Sequence, residues 1–292
     1  MPGVASALDN LSPQQRALVD TWLPGATVEK DHSWGLVATT VLEMTHAGSR
    51  FVVKAGGDDD HHIQRELHAH RHWLRPWTDR GRAPALVRGS AEAKLLLTRY
   101  LPGELVLGSA YADDPGIYRQ AGELLALLHA QTAVRGDNYE KSENEKSLTA
   151  LSGPHRIAPS TVQRLRAEIA GWPTPPATLV PTHGDWQPRN WIVHDSAVSI
   201  IDFGRAALHP AASDFGRLAD RDFRRNPALE AAFLDGYGTD PREPGAWYRS
   251  RIRQAIGTVT WAYRVGDEAF EAEGHRTLRL LQAEGKGSVG SM

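Results

Sequence analysis

An α+β chain of two lobes is the expectation here, a small antiparallel sheet followed by a larger helical lobe, and three observations carry it. Strand-like runs are concentrated between Thr27 and Lys54 and return from Lys94 to Leu101. Beyond position 104 the apolar spacing becomes predominantly helical. Short apolar runs at Thr178 to Val180, Trp191 to Val193 and Val198 to Ile201 then bracket the most distinctive polar residues of the chain.

The elements follow in order. In the stretch Ala5 to Leu23, Leu8, Leu11, Leu18, Val19 and Trp22 keep a helical rhythm, with Ser12-Pro13 as a start signal and Pro24-Gly25 as a stop. Val37 to Met44 and Arg50 to Lys54 are rich in β-branched residues and flank a turn over Thr45 to Ser49. Asp58 to Arg75 reads as a helix: its opening aspartates complement the helix dipole, and Ile63, Leu67 and Leu74 recur with helical spacing. Lys94 to Leu101 is expected to be a buried strand ended by Pro102-Gly103. Ile117 to Gln131 is expected to be a helix, and the polar stretch Asn138 to Lys146 an exposed loop. Pro159 to Trp172 predicts another helix. Ser213 to Ala283 is mostly helical with breaks at Pro227, Gly236 to Pro244 and Gly266, and Gly285 to Met292 is too poor in apolar residues to be other than a frayed end.

Composition narrows the class. With 23% charged and 41% hydrophobic residues the 292-residue chain has the balance of a soluble globular protein. A net charge of −2 gives no basic excess for nucleic-acid binding, and no apolar run is long enough to span a membrane. The absence of cysteine excludes disulfides, thiolate nucleophiles and cysteine-zinc sites. Without a signal-peptide pattern at Met1 to Asp20, the expectation is a cytoplasmic protein.

The chemistry lies in His183-Gly184-Asp185, in Asn190 five residues after the aspartate, and in Ile201-Asp202-Phe203-Gly204. Phosphoryl transfer needs a carboxylate to orient the attacking hydroxyl and oxygen ligands to hold Mg²⁺ on the nucleotide phosphates. Asp185 is the candidate for the first role, Asn190 and Asp202 for the second. Each piece alone is a common turn or strand end; the ordered set is not. Upstream, Lys54 closes the apolar strand Phe51-Val52-Val53 and is placed to neutralise phosphates, with Glu66 of the next helix as the carboxylate that holds it.

Lys54, Glu66, the His183-Gly184-Asp185 loop with Asn190, and Ile201-Asp202-Phe203-Gly204 together resemble the aminoglycoside phosphotransferase family of protein-kinase-like small-molecule kinases, over a span from about Val28 to the 260s. The resemblance implies a protein-kinase-like fold: a nucleotide-binding lobe over 1–98, a hinge at 99–103, and a helical lobe over 104–292 carrying the catalytic loop and acceptor site. It implies Mg²⁺ as cofactor and ATP or GTP as donor. The hinge would bind the purine through the Arg99 carbonyl and Leu101 amide, with Thr98 behind them. Position 35 is the only glycine in Asp31 to Thr40, so Ser33, Trp34 or backbone amides must cover the phosphates. Asp214 matches a family aspartate that braces the catalytic loop, and His183 reads as structural.

The acceptor is read more coarsely. Trp186, next to Asp185, is a candidate wall of the acceptor site, with core packing as the alternative. The Asp267-Glu268, Glu271 and Glu273 cluster and the Asp220-Arg221-Asp222 segment are the acidic candidates for an amine-bearing substrate, with a solvated helix surface as the alternative for each, although basic residues such as Arg205, Arg217 and Arg221 are about as numerous as acidic ones in that half. An antibiotic kinase acting on an aminoglycoside or a sugar-bearing nucleoside antibiotic, a metabolic kinase of an amino sugar, sugar or amino alcohol, and a nucleotide-binding pseudoenzyme are the readings left open. His61, His62, His68, His70 and His72 are read as a solvated helix face rather than a zinc site, since no third ligand accompanies His68 and His72.

Overall fold

The computed structural model describes residues 8–35 and 38–289. The beginnings of two expected elements, at Ala5 and Val37, and residues 290–292 lie outside them.

Helix α1 (Pro13–Trp22) starts where Ser12-Pro13 predicts. Ser12 Oγ accepts from the Gln15 amide, the Gln15 side chain accepts from the Ser12 amide, and Pro13 occupies the first helical position. Gln15 Nε2 also donates to the carbonyls of Gly56 and Ala93, tying the helix to the sheet beneath it. Strands β1 (Thr27–Asp31), β2 (Thr39–His46) and β3 (Ser49–Gly56) follow. A two-residue turn joins the last two, with Ala47 and Gly48 both at positive φ as a twisted hairpin requires. Helix α2 (His62–His72), the single turn α3 (Arg75–Thr78), β4 (Leu86–Ser90) and β5 (Leu95–Arg99) complete the lobe.

Its antiparallel sheet has the order β1-β2-β3-β5-β4. Val19, Leu42, Met44, Phe51, Val53 and Leu97 fill one face with α1, while Leu96 packs with Ile63 and Leu67 of α2 on the other. Burial on both faces is why Leu95 to Thr98 reads as an unbroken apolar run ending in one threonine.

The second lobe begins at β6 (Glu104–Leu105) and α4 (Pro115–His129), which Asp114 caps. It continues through β7 (Val134–Gly136), α5 (Tyr139–Ala150), α6 (Pro159–Ala170), β8 (Ala177–Thr182), β9 (Trp191–His194), β10 (Ala197–Ile200) and β11 (Ala207–His209). Helices α7 (Gly216–Asp220), α8 (Asp222–Arg225), α9 (Pro227–Tyr237), α10 (Pro244–Val265) and α11 (Glu268–Val289) close the chain. Two small sheets, β10-β9-β6 and β11-β8-β7, flank the catalytic loop. Since β6 pairs with β9, the segment leaving the first lobe is anchored directly behind that loop. Helices α4 and α9 are pressed together so closely that a Cβ on Gly122 would sit 2.2 Å from the Phe233 carbonyl oxygen.

Two expectations differ from the structure. The stretch Asn138 to Lys146 is not an exposed loop; most of it is the first part of α5. That helix has no apolar stripe, because its inward face is polar: Glu140 binds Arg249 and Arg253 at 3.0 and 2.8 Å, and Asn144 accepts two hydrogen bonds from Arg253. Apolar periodicity cannot report a helix held this way. At the other end, α11 runs to Val289 through part of the segment expected to be frayed, since backbone hydrogen bonding needs no apolar side chains. Among the described residues no helix is long and apolar enough to cross a membrane.

Candidate active site

The catalytic loop leaves β8 and is gripped from behind by Asp214. The Asp214 carboxylate accepts from the amides of His183 (2.8 Å) and Gly184 (2.7 Å) and lies 3.1 Å from His129 Nε2, whose other ring nitrogen meets the Tyr237 hydroxyl. Burial opposes its charge, yet the hydrogen bonds from His129 and the His183 amide outweigh burial and hold its carboxyl below the usual range. His183 then fixes the loop from within: Nδ1 accepts from the Asp185 amide, which leaves the Nε2 proton for the Ile201 carbonyl at 3.1 Å. One imidazole therefore links the loop to the segment that carries Asp202. Both residues thus bond the loop's backbone, the contacts expected of bracing groups. Gly184 turns at φ +78°, and a Cβ there would lie 2.2 Å from the Arg205 carbonyl oxygen, so only glycine fits.

Asp185 is 2% exposed. Its carboxylate accepts from Arg189 and Gln187, each at 2.6 Å, and from Asn190 Nδ2 at 3.1 Å, with Arg217 Nε 3.5 Å away. Burial pushes its pKa up, but the charges of Arg189, Arg217 and Arg205 overcome burial and keep the group fully ionised. Asn190 donates both to this carboxylate and to the Asp185 carbonyl. Its Oδ1 accepts no hydrogen bond among the described residues, which suits a metal ligand.

Lys54, on the central strand β3, bonds both oxygens of the buried Glu66 at 3.0 Å and reaches Asp202 Oδ1 at 3.1 Å. Burial lowers the lysine pKa, but Asp202 and Glu66 more than offset that and raise it. The same ammonium is the first cause holding Asp202 below the usual carboxylate range. Asp202 sits at φ +67°, a strained backbone for a residue with a side chain. Residues 148 apart in sequence thus meet as Lys54 and Asp202, on opposite lobes.

The other nucleotide candidates occupy the rim. Ser33 Oγ accepts from the Val41 amide at 3.0 Å and so closes the loop between β1 and β2. Trp34 projects from that loop, 50% exposed, with its ring stacked 6.3 Å from Trp261 of α10. Thr98 is buried, and the Arg99 amide donates to the Ala85 carbonyl. The Leu101 amide has no protein partner among the described residues, so it is available as the expected purine donor.

The acceptor expectations need correction. Trp186 is 0% exposed and packs on Trp77, His183 and Trp191 in the core, so it cannot line a substrate site. Asp220 is neutralised by Arg251. Asp267 accepts from the Phe270 amide at the start of α11 and lines the second of the cavities described below, whereas Glu268 is 83% exposed beside Arg156 and lines neither. Of the acidic candidates only Asp267 and Glu273 line one of the two cavities, and Glu273 is paired there with Arg221, while Glu271 pairs with Arg156 and Asp222 with the Tyr118 hydroxyl. The histidines divide: His61, His68 and His72 are exposed as expected, whereas two turn inward. His62 Nδ1 meets the Gly204 carbonyl at 2.8 Å, and the His70 ring packs on Phe203, where burial lowers its pKa to about 3. Among the described residues no group of three His, Cys, Asp or Glu could hold a metal.

Two adjoining cavities of about 480 and 540 Å³ lie beside the loop and share Arg205, Arg217, Trp261 and Phe270. Arg189 and Arg205 were legible by position, one beside Asn190 and one directly after Ile201-Asp202-Phe203-Gly204, but not by type. Tyr139, Glu143 and Lys146, on the helix read as a loop, line the first cavity.

A family model described as APH, phosphotransferase enzyme family, matches residues 30–248, most of the chain. The chain belongs to this family. As a member it is a small-molecule kinase that phosphorylates hydroxyl groups. Solved structures share its fold at low identity. A thermostable mutant of aminoglycoside phosphotransferase APH(4)-Ia, in apo form, is 12% identical with a TM-score of 0.70, covering 94% of this chain and 99% of that one. Choline kinase LicA from Streptococcus pneumoniae is 15% identical with a TM-score of 0.65, over 92% and 97%. Macrolide 2'-phosphotransferase MphH from Brachybacterium faecium is 18% identical with a TM-score of 0.57, over 91% and 98%. No curated protein matches the chain in sequence.

Proposed function

We propose that this phosphotransferase moves the γ-phosphoryl group of ATP or GTP, with Mg²⁺, to a hydroxyl of a small molecule. The observation that carries the reading is the pairing of a fully ionised Asp185, fixed through its own loop, with a Lys54–Glu66 couple that reaches Asp202 from the facing lobe. Asp185 orients the acceptor hydroxyl and takes its proton as the new O–P bond forms and the bond from the γ-phosphorus to the β–γ bridging oxygen breaks, releasing ADP or GDP. Lys54, held by Glu66, neutralises the donor phosphates. Mg²⁺ would be held by Asn190 Oδ1 and the Asp202 carboxylate and would supply charge neutralisation at the phosphates. Two protein oxygens with phosphates and water completing the shell is how this ion is usually bound. The purine lies against Thr98, with the Arg99 carbonyl and Leu101 amide as its hinge partners, while Ser33 holds the phosphate-covering loop.

A mutant of APH(4)-Ia has been solved in a ternary complex with ADP and hygromycin B, at 12% identity and a TM-score of 0.68. That supports a nucleotide donor here, and a nucleotide donor is in keeping with a cytoplasmic protein. Antibiotic resistance and metabolic phosphorylation share this chemistry and differ only in the acceptor.

The test is nucleotide consumption with ATP and with GTP across hydroxyl acceptors, in wild type and Asp185→Ala. Mg²⁺-dependent turnover that the substitution abolishes is expected. Turnover unchanged by Asp185→Ala sinks the reading, and binding of Mg-nucleotide with no transfer to any acceptor would return the pseudoenzyme.

A further inference from the structure

The charge of the cavity wall beside Asp185 is unbalanced. Of the residues lining the 540 Å³ cavity, Arg189, Arg205, Arg217, Arg221 and Arg276 are cationic, against Asp267 and Glu273. Arg221 is taken by Glu273 and Arg189 by Asp185, while Asp267 accepts the Phe270 amide and stays as a single negative charge in the wall. Three arginines remain. Arg205 and Arg276 have no carboxylate within ion-pair distance among the described residues. Arg217 has only Asp185, at 3.5 Å, and its buried Nε makes no hydrogen bond. Burial, reinforced by Arg205, Arg221 and Arg189, lowers the Arg217 pKa to about 10 despite the opposing pull of Asp185. A guanidinium in that position is relieved by an incoming anion and strained further by an incoming cation.

We propose that the acceptor is itself an anion: a small hydroxyl compound whose phosphate-ester or carboxylate group docks on Arg205, Arg217 and Arg276 while its hydroxyl faces Asp185. This rests on the phosphotransferase reading above and names its substrate class. Arg205 and Arg217 stand in the walls of both cavities, so an anion held there lies beside the catalytic loop, with Trp261 and Phe270 offering apolar faces to its carbon skeleton. A guanidinium fork matches a carboxylate or phosphate in geometry as well as charge. A polycation such as an aminoglycoside meets a wall of its own sign.

Calorimetric titration tests this on the whole chain at low ionic strength, with Mg·ADP saturating so that the α- and β-phosphate contacts are occupied, and repeated with Mg·AMP-PNP so that the γ-phosphate contacts are occupied as well. Glucose 6-phosphate, glucuronate, glucose and glucosamine serve as probes matched in skeleton and differing in charge. At least one anion is expected to bind about tenfold or more tightly than glucose or glucosamine, and comparison of the two anions tells phosphate from carboxylate. The double variant Arg205→Gln, Arg276→Gln should lose that preference while its Mg·ADP affinity stays within about twofold. Glucosamine binding as tightly as the anions, anion preference surviving in the double variant, or no anion binding at millimolar concentration each overturns the proposal. Failure of either Mg-nucleotide to bind counts instead against the phosphotransferase reading, whereas nucleotide binding without an anion preference counts against this proposal alone.

Discussion

Gly184→Ala is the sharpest perturbation the catalytic loop offers. A Cβ at this position would stand 2.2 Å from the Arg205 carbonyl oxygen, whereas ordinary contact begins at 3.4 Å, so loop and Arg205 backbone must separate by at least about 1 Å. The φ of +78° adds a left-handed conformation that costs an alanine about 1 kcal/mol over glycine. Neither partner yields freely, because the Gly184 amide is held by Asp214 and the His183 ring by Ile201. The displacement therefore falls on Asp185, the next residue. A shift of about 1 Å in a positioning group lowers turnover about a hundredfold. Steady-state nucleotide consumption and urea unfolding measured on the same preparation separate the effects: kcat should fall about a hundredfold while stability falls by about 1–3 kcal/mol. An alanine variant with wild-type kcat and an undisturbed unfolding midpoint would refute the argument that close approach dictates this glycine.

Other expectations concern charge. Asp185→Ala should reduce kcat by orders of magnitude with Mg-nucleotide affinity retained, whereas Asp202→Ala should weaken Mg-nucleotide binding itself, read by calorimetry. Since the arginines around Asp185 depress its pKa, the carboxylate is charged above that lowered value and is lost only as pH falls through it; kcat should show no acidic limb from this group between about pH 5 and 8. A limb near pH 6 in wild-type kcat that moves upward in Arg189→Gln would contradict this. Glu140→Ala strands the largely buried Arg249 and Arg253 without their carboxylate and should destabilise the fold by about 3 kcal/mol in urea unfolding, against little change for Glu143→Ala, whose partner Lys146 is exposed.

The two lobes and the catalytic segment were legible because their signals are local. The β-branched runs of β2 and β3, the Ser12-Pro13 cap and the ordered set Asp185, Asn190, Asp202 each declare themselves within a few residues. What escaped depends on pairing across the chain. Helix α5 is held by Arg253, 113 residues from Glu140, so nothing near it marks an inward face. The four-residue-or-shorter strands β6, β7 and β11 exist only as partners of β8 and β9. Trp186 was ambiguous for the same reason: adjacency to Asp185 places it near the site in sequence, while Trp77, in the other lobe's stretch of the chain, decides that it points into the core. The acceptor site suffered most, since counting charges along 203–292 cannot tell which ones pair off and which remain facing the cavity.

Helix α5 also bears on how this protein can change. Its position is secured on one side by Glu140 and Asn144 against α10, while Tyr139, Glu143 and Lys146 face the cavity and carry none of that anchoring. Anchoring the helix and lining the cavity are thus assigned to different residues of the same helix. Mutations on the cavity side leave the clamp untouched, so the shape and charge of that wall can vary without first acquiring compensating stability, and none of Lys54, Asp185, Asn190 and Asp202 lies on this helix to be disturbed in the process.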